Sequence, residues 1–231
     1  LNRCMENNIE INVNRTNRSK TVSIQVLKGQ VKISVPKNLE QVKIDRILKS
    51  KSKWIKKKLF LQSKIVPFSN KEYVSGESLL YLGRQYRLKI IIGKKYNTEF
   101  KDGYLKITVK NKSNKQKIKR LVKKWYLEKA HLYLNKMTLD LSKELGVSYN
   151  SVKIRNYNAR WGSCSSTGKL FYNWRIIMAP YKIIKYIILH ELVHLKEHNH
   201  SKRFWKLLKS HYSNIDYAKQ WLLYNGHTFK I

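Results

Sequence analysis

Apolar and polar positions alternate at the start of the chain. Ile11 and Val13 alternate with polar neighbours, as do Val22, Ile24 and Val26, and then Val31, Ile33 and Val35. A period of two puts every second side chain on one face of a sheet, so residues 9–36 read as short strands. Lys28, Gly29 and Gln30 make the predicted hairpin turn, and Pro36, with no amide hydrogen to give, ends the ladder. From residue 39 to 65 the period lengthens, and Ile44, Ile47, Leu48, Ile55 and Leu59 fall on one helical face. Strand patterning returns over residues 72–109, through Leu79, Tyr86, Leu88, Ile90 and Ile92, with an Asp102–Gly103 turn before Tyr104, Ile107 and Val109.

The polar stretch 110–117 (KNKSNKQK) has no apolar anchor. It is the expected boundary between a β-rich N-terminal region with one helix, residues 1–113, and a second domain, residues 114–231. A long helix is predicted beyond it, with Ile118, Leu121, Val122, Trp125, Leu132 and Leu141 buried, ending near Gly146. Val152 and Ile154 predict one further strand, and residues 169–174 another, across the Thr167–Gly168 turn. Between them lies RWGSCS, residues 160–165. The fold class is therefore α+β.

The most informative stretch is residues 186–205, YIILHELVHLKEHNHSKRFW. Ile187, Ile188, Leu189, Leu192, Val193 and Leu195 mark a buried helix, and within it stand His190, Glu191 and His194 in the order H-E-x-x-H. Positions four apart share a helix face, so both imidazoles can point at one metal ion. Glu191, one residue on, can reach a water there as a general base without ligating the metal. A catalytic zinc takes a third protein ligand. His198 on a straight helix would lie about 12 Å along the axis from His190, too far for one ion. The chain must therefore turn after His194, with Asn199, tolerant of left-handed backbone, as the expected place. His200 then folds back as the preferred third ligand, and Ser201 caps a new helix through Phe204 and Trp205. Glu197, Asp216 and His198 are the alternatives. Two histidines and a glutamate inside one apolar helix would be costly to bury without a partner.

Composition adds a partner class. Forty-nine Lys and Arg face fourteen Asp and Glu, for a net charge of +35. Such a charge favours polyanions, nucleic acid among them, and the Lys56–Lys57–Lys58 run on the first helix is the candidate contact. Cys4 and Cys164 match no disulfide framework and no C-x-x-C site, which points to a reducing compartment. No apolar run reaches about 18 residues, and the polar N-terminus lacks a signal-peptide core. The cytoplasm is the expected location.

RWGSCSSTGKLFYNWRIIMAP followed by YIILHELVHLKEHNHSKRFW resembles the YgjP-like metallopeptidase family, also grouped with SprT-type zinc proteases. NRSKTVSIQV, YVSGESLLYLGRQYRL and WLLYNG extend the agreement over nearly the whole chain. The resemblance implies a zincin-like catalytic half, with His190, His194 and His200 on zinc and Glu191 as base. The same histidine spacing occurs in metzincins, but Glu197 stands where those have Gly and no Met-turn is evident. The expected substrate is a protein or peptide, with proteins associated with nucleic acid among the candidates. The alternative is a metal-dependent phosphoanhydride hydrolase acting on nucleoside triphosphates, against which stand the lack of a Gly-rich phosphate loop and the scarcity of carboxylates for magnesium. Arg160 and Asn173 are the candidate substrate or oxyanion contacts, and the strand of residues 169–174 is the expected open edge for an added peptide. Cys164 reads as a small packed residue.

Overall fold

The computed structural model describes residues 2–6, 9–27, 29–63 and 71–231. The chain forms two compact units, Leu1–Pro67 and Phe68–Ile231.

In the first unit, strands β1 (Asn2–Glu6), β2 (Ile9–Thr16), β3 (Ser23–Leu27) and β4 (Gln30–Pro36) form a sheet in the order β1-β2-β4-β3. β2 and β4 run parallel, and the outer pairs are antiparallel. The period-two pattern is realised: Ile11, Val13, Val31, Ile33 and Val35 are buried together. Helix α1 (Gln41–Ser63) covers that face with Ile44, Leu48 and Ile55. Lys28 of the predicted turn and residues 64–65 of the predicted helix lie outside the described residues. Gly29 takes the left-handed backbone the turn requires, at φ 78°.

The second unit begins with a sheet in the order β5-β6-β8-β7, made of β5 (Ser78–Tyr81), β6 (Arg84–Ile92), β7 (Asn97–Lys101) and β8 (Tyr104–Val109). Its two hairpins turn at Leu82–Gly83 and Asp102–Gly103, all four residues at positive φ. That pattern is the type I′ turn whose twist matches paired strands. Helix α2 (Lys115–Leu145) follows, capped by the Asn114 side chain, which accepts from Lys117 N, and ended by left-handed Gly146. Next come β9 (Ser151–Arg155), β10 (Gly162–Cys164) and β11 (Lys169–Asn173), then a 3-10 turn over Trp174–Met178. Helices α3 (Tyr181–Val193), α4 (Lys202–His211) and α5 (Ile215–Asn225) complete the unit.

Three features differ from the sequence expectation. The division of the chain falls after Pro67 rather than in residues 110–117. The reason is a shared core: Leu79, Leu88, Leu105, Ile107 and Val109 of β5–β8 pack with Ile118, Trp125, Trp174 and Ile177. Backbone bonds from Leu82 N to Ile177 O and Gly83 N to Met178 O fasten the sheet to the 3-10 turn. Leu132, expected to be buried, is 65% exposed. At about 100° per residue, Leu134, Met137, Leu141 and Leu145 lie roughly 100–180° round the helix from Ile118. The buried stripe therefore winds round α2 as its partners change from β7 and β8 to α3 and β9, and the face bearing Leu132 is left to solvent. Finally, β11 is central in its sheet, parallel to β9 and antiparallel to β10. The open edge beside the metal helix belongs to β10.

Candidate metal centre

α3 is apolar enough to be enclosed, and Ile183, Ile184, Ile188, Leu189 and Leu192 are fully buried. It enters at Pro180, which leaves no room beside Gly83: a Cβ there would come within 2.8 Å of the proline ring. The helix ends at Val193, with His194 as its C-cap. Leu195 N bonds to Leu192 O, and Lys196 N and Glu197 N both bond to Val193 O, a tightened final turn. The expected change of direction follows, though without left-handed backbone at Asn199. Instead the Asn199 Oδ1 accepts from Ser201 N, an Asx turn, and the Ser201 hydroxyl accepts from Phe204 N to start α4.

This turn brings His190, His194 and His200 together, with one nitrogen of each within 4.8 Å of the others. The Nε2 atoms of His190 and His200 are 3.0 Å apart. Two nitrogens on a tetrahedral zinc at 2.0–2.1 Å would be about 3.3–3.4 Å apart, so the donor set fits such an ion. Among the described residues it is the one such group, and Glu197, His198 and Asp216 stand outside it. The His194 Nδ1 faces the Glu197 carbonyl at 3.1 Å. With that nitrogen as donor, Nε2 keeps its lone pair for a metal. Burial, followed by the fields of His194, His200 and Lys219, pushes His190 down to about 3. Burial also lowers His194, against the Glu197 carbonyl. Neutral imidazoles are the ligating form. The rings rest on Phe204, which is fully buried with its centroid 4.6 Å from His194, 4.7 Å from His200 and 5.0 Å from His190.

Glu191 is 5% exposed, and burial raises its carboxyl to about 8, with Arg160 pulling the other way. β10 lies directly against it: a Cβ on Gly162 would sit 2.6 Å from Glu191 Oε1. Two hollows meet here. One, of about 460 Å³, runs along Ser163, Cys164 and Ser165 past His194 and His200. The other, of about 1220 Å³, opens on the far side of Gly162 between Tyr157, Tyr186, Arg175 and Lys219. Arg160 reaches both.

Asn173 does not offer a donor to a substrate. Its amide nitrogen donates to the carbonyls of Tyr157 and Arg160, and its oxygen accepts from Arg175 N. It is 2% exposed and works as a clamp on the loop that carries Arg160. Cys164 is half-buried on β10, and burial pushes its thiol up to about 11, an unreactive state. Lys56 and Lys57 are exposed on α1 of the first unit, with Lys58 placed over the Trp54 ring. Sequence reasoning missed Gly162, Phe204 and the larger hollow. Phe204 had a visible signal, an aromatic four residues after His200; the hollow is assembled from distant segments and had none.

A helix that offers two imidazoles and a glutamate, joined by a third imidazole across a turn, belongs with the metallopeptidases. The family model described as YgjP-like, metallopeptidase domain, matches residues 20–225, and the chain belongs to that family. Among solved structures, the metallopeptidase zymogen of Methanocaldococcus jannaschii jannalysin is similar over 38% of this chain and 90% of its own, at 23% identity and a TM-score of 0.34. No curated protein sequence matches.

Proposed function

We propose that this metallopeptidase is zinc-dependent, that His190, His194 and His200 hold the ion, and that Glu191 is the general base. The observation that carries this is the convergence of three imidazoles within 4.8 Å of one another beside a buried glutamate. Zinc, when bound, supplies Lewis-acid polarisation of the scissile carbonyl and of the attacking water. Glu191 takes one proton from that water as oxygen bonds to the carbonyl carbon. It then returns a proton to the amide nitrogen as the C–N bond breaks, leaving a carboxylic acid and an amine. Gly162 leaves the carboxylate its space, and Arg160 is the group positioned to meet negative charge that develops on the substrate. The free edge of β10 beside the histidines suits an extended peptide adding by main-chain hydrogen bonds.

The reading extends to location and partners. Cysteine usage argues for the cytoplasm, and no described helix is long and apolar enough to cross a membrane. The net charge argues for substrates met on nucleic acid, with Lys56, Lys57 and Lys58 among the contacts.

The test is a metal titration paired with peptide hydrolysis. The wild-type chain should bind one zinc and cleave peptides in a chelator-sensitive way. His200→Ala should lose most of the zinc, because two neutral ligands hold it far less well than three. Full zinc in His200→Ala, with loss in Glu197→Ala or Asp216→Ala, would displace His200 as the third ligand.

A further inference from the structure

The larger hollow beside Glu191 carries a charge pattern that peptide-bond hydrolysis as such does not need. Lys119 from α2, Arg160 from the loop before β10, Arg175 from the 3-10 turn and Lys219 from α5 all line it. Glu191 is the sole acidic side chain on its wall among the described residues. Cations gathered round one hollow give it a positive potential that favours a bound anion.

These four, of the six lysines and arginines on the wall, are not spent on carboxylates, for none of the four makes an ion pair with a described residue. Each instead lies over an aromatic ring. Lys119 Nζ is 5.9 Å from the Tyr73 centroid, and Arg160 Cζ is 5.7 Å from that of Tyr157. Arg175 Cζ is 4.6 Å from Trp174, and Lys219 Nζ is 3.7 Å from Trp205. A ring face holds a cation in position without cancelling its charge. Arg175 is the most telling of the four. It is half-buried, burial disfavours its charged form, and its hydrogen bond goes to the neutral Asn156 Oδ1. A partly desolvated guanidinium with no counter-charge is costly unless a ligand supplies one.

We propose that this hollow is a recognition site for a compact group bearing two or more negative charges on the substrate, held by Arg175, Lys219, Lys119 and Arg160 next to the reacting bond. The inference rests on the metal-centre reading for the position of that bond. Two sources present this chemistry: a run of acidic side chains in a peptide, and a polyphosphate such as the tail of a nucleoside triphosphate. Both fit a hollow of about 1220 Å³.

The experiment measures binding on the full-length Glu191→Gln chain, so that turnover does not enter. The probes are a fluorescent peptide with three consecutive glutamates, its glutamine analogue, and inorganic tripolyphosphate as competitor, at about 0.15 M salt where exposed charges are screened. Lys119→Gln and Lys219→Gln alter exposed side chains and should keep the fold; Arg175→Gln is the third variant. Each should weaken the preferred anion about tenfold, as expected for loss of one charge-assisted hydrogen bond. The control is a chain with Lys94, Lys95 and Lys136 all changed to Gln, exposed side chains that line neither hollow, which should bind within about twofold of the parent at that salt, where surface charge is screened. Tighter binding of the glutamate peptide names an acidic peptide as the source, and tighter binding of tripolyphosphate names a phosphoanhydride. If the control weakens binding as much as the hollow variants do, or if neither anion outbinds the glutamine peptide, the site is not there. Anion binding by the Glu191→Gln chain, with no peptide cleaved by the zinc-loaded parent, would leave this inference standing and remove the peptidase reading. Hydrolysis of neutral peptides without anion binding would do the reverse.

Discussion

At the scale of single residues, the proposed chemistry turns on Glu191 as base and on Gly162, which leaves that side chain its room. Burial raises the Glu191 carboxyl to about 8 from an ordinary value of 4.5, so the metal-free native state holds a proton that the unfolded chain releases. Between those two pH values the native state binds more protons, and its stability falls as pH rises. Glu191→Gln removes that titration. Urea melts of the metal-free chains should show the variant gaining on the parent from pH 4.5 to 8, by up to a few kcal/mol, since each pH unit in that window is worth about 1.4 kcal/mol. The gap should close below pH 4.5; a gap independent of pH would mean that the carboxyl is not desolvated. The zinc-loaded variant should be inactive, since an amide accepts no proton from water. Gly162 needs no left-handed backbone, and the three atoms nearest an alanine Cβ there all belong to the Glu191 side chain, Oε1 at 2.6 Å. Gly162→Ala should therefore keep its zinc and lose about a hundredfold in kcat, the usual cost of misplacing a reacting group by an ångström. Zinc stoichiometry and steady-state rates measured on the same sample check both halves. Cys164→Ser should change neither, because the thiol stands outside the imidazole cluster.

At the scale of elements, legibility followed from how local the cause was. The metal helix, its H-E-x-x-H face and the Ser201 cap were readable because periodicity and capping act within a few residues. Distance argued against His198 on a straight helix and asked for a turn, with His200 preferred over Glu197 and Asp216; the chain does turn there and gathers His200 with His190 and His194. The means of that turn was not legible, because an Asx bond and a left-handed residue leave the same letter, Asn199, in the sequence. Asn173 was misplaced for a related reason. Its polarity was visible but its three partners, Tyr157, Arg160 and Arg175, are set by tertiary structure. As a clamp it makes its own prediction. Asn173→Ala takes the donor from two part-buried hydrogen bonds and the acceptor from Arg175 N, which should cost about 1–3 kcal/mol in chemical denaturation. It should also raise KM for peptides through a loosened Arg160 loop while leaving zinc content intact. A variant as stable as the parent would mean that water replaces the amide fully. The long helix α2 shows the other limit: its apolar stripe winds as its partners change, so a single-face reading buried Leu132 wrongly.

At the scale of the whole molecule, charge and architecture pull apart. The proposed catalytic residues lie within Phe68–Ile231, whereas the densest lysine run, residues 49–58, belongs to α1 in the other unit. The family match spans both, from residue 20 to 225. If the charge on that unit serves recruitment, as proposed, it has a measurable signature. Each phosphate neutralised on duplex DNA releases condensed counterions and contributes roughly −0.9 to the slope of log K against log salt. Changing Lys56, Lys57 and Lys58 together to Gln should weaken DNA binding at low salt. It should also flatten that slope by about one for each phosphate left unneutralised, up to about three. Hydrolysis of a short uncharged peptide should be unchanged, because such a peptide gains nothing from recruitment by charge. Hydrolysis of a protein carried on DNA should fall at low salt and converge with the parent as salt rises, since screening removes the advantage the parent held. An unchanged slope would place the polyanion site elsewhere on the +35 surface, and a fall in uncharged-peptide hydrolysis would show that α1 serves the active site directly.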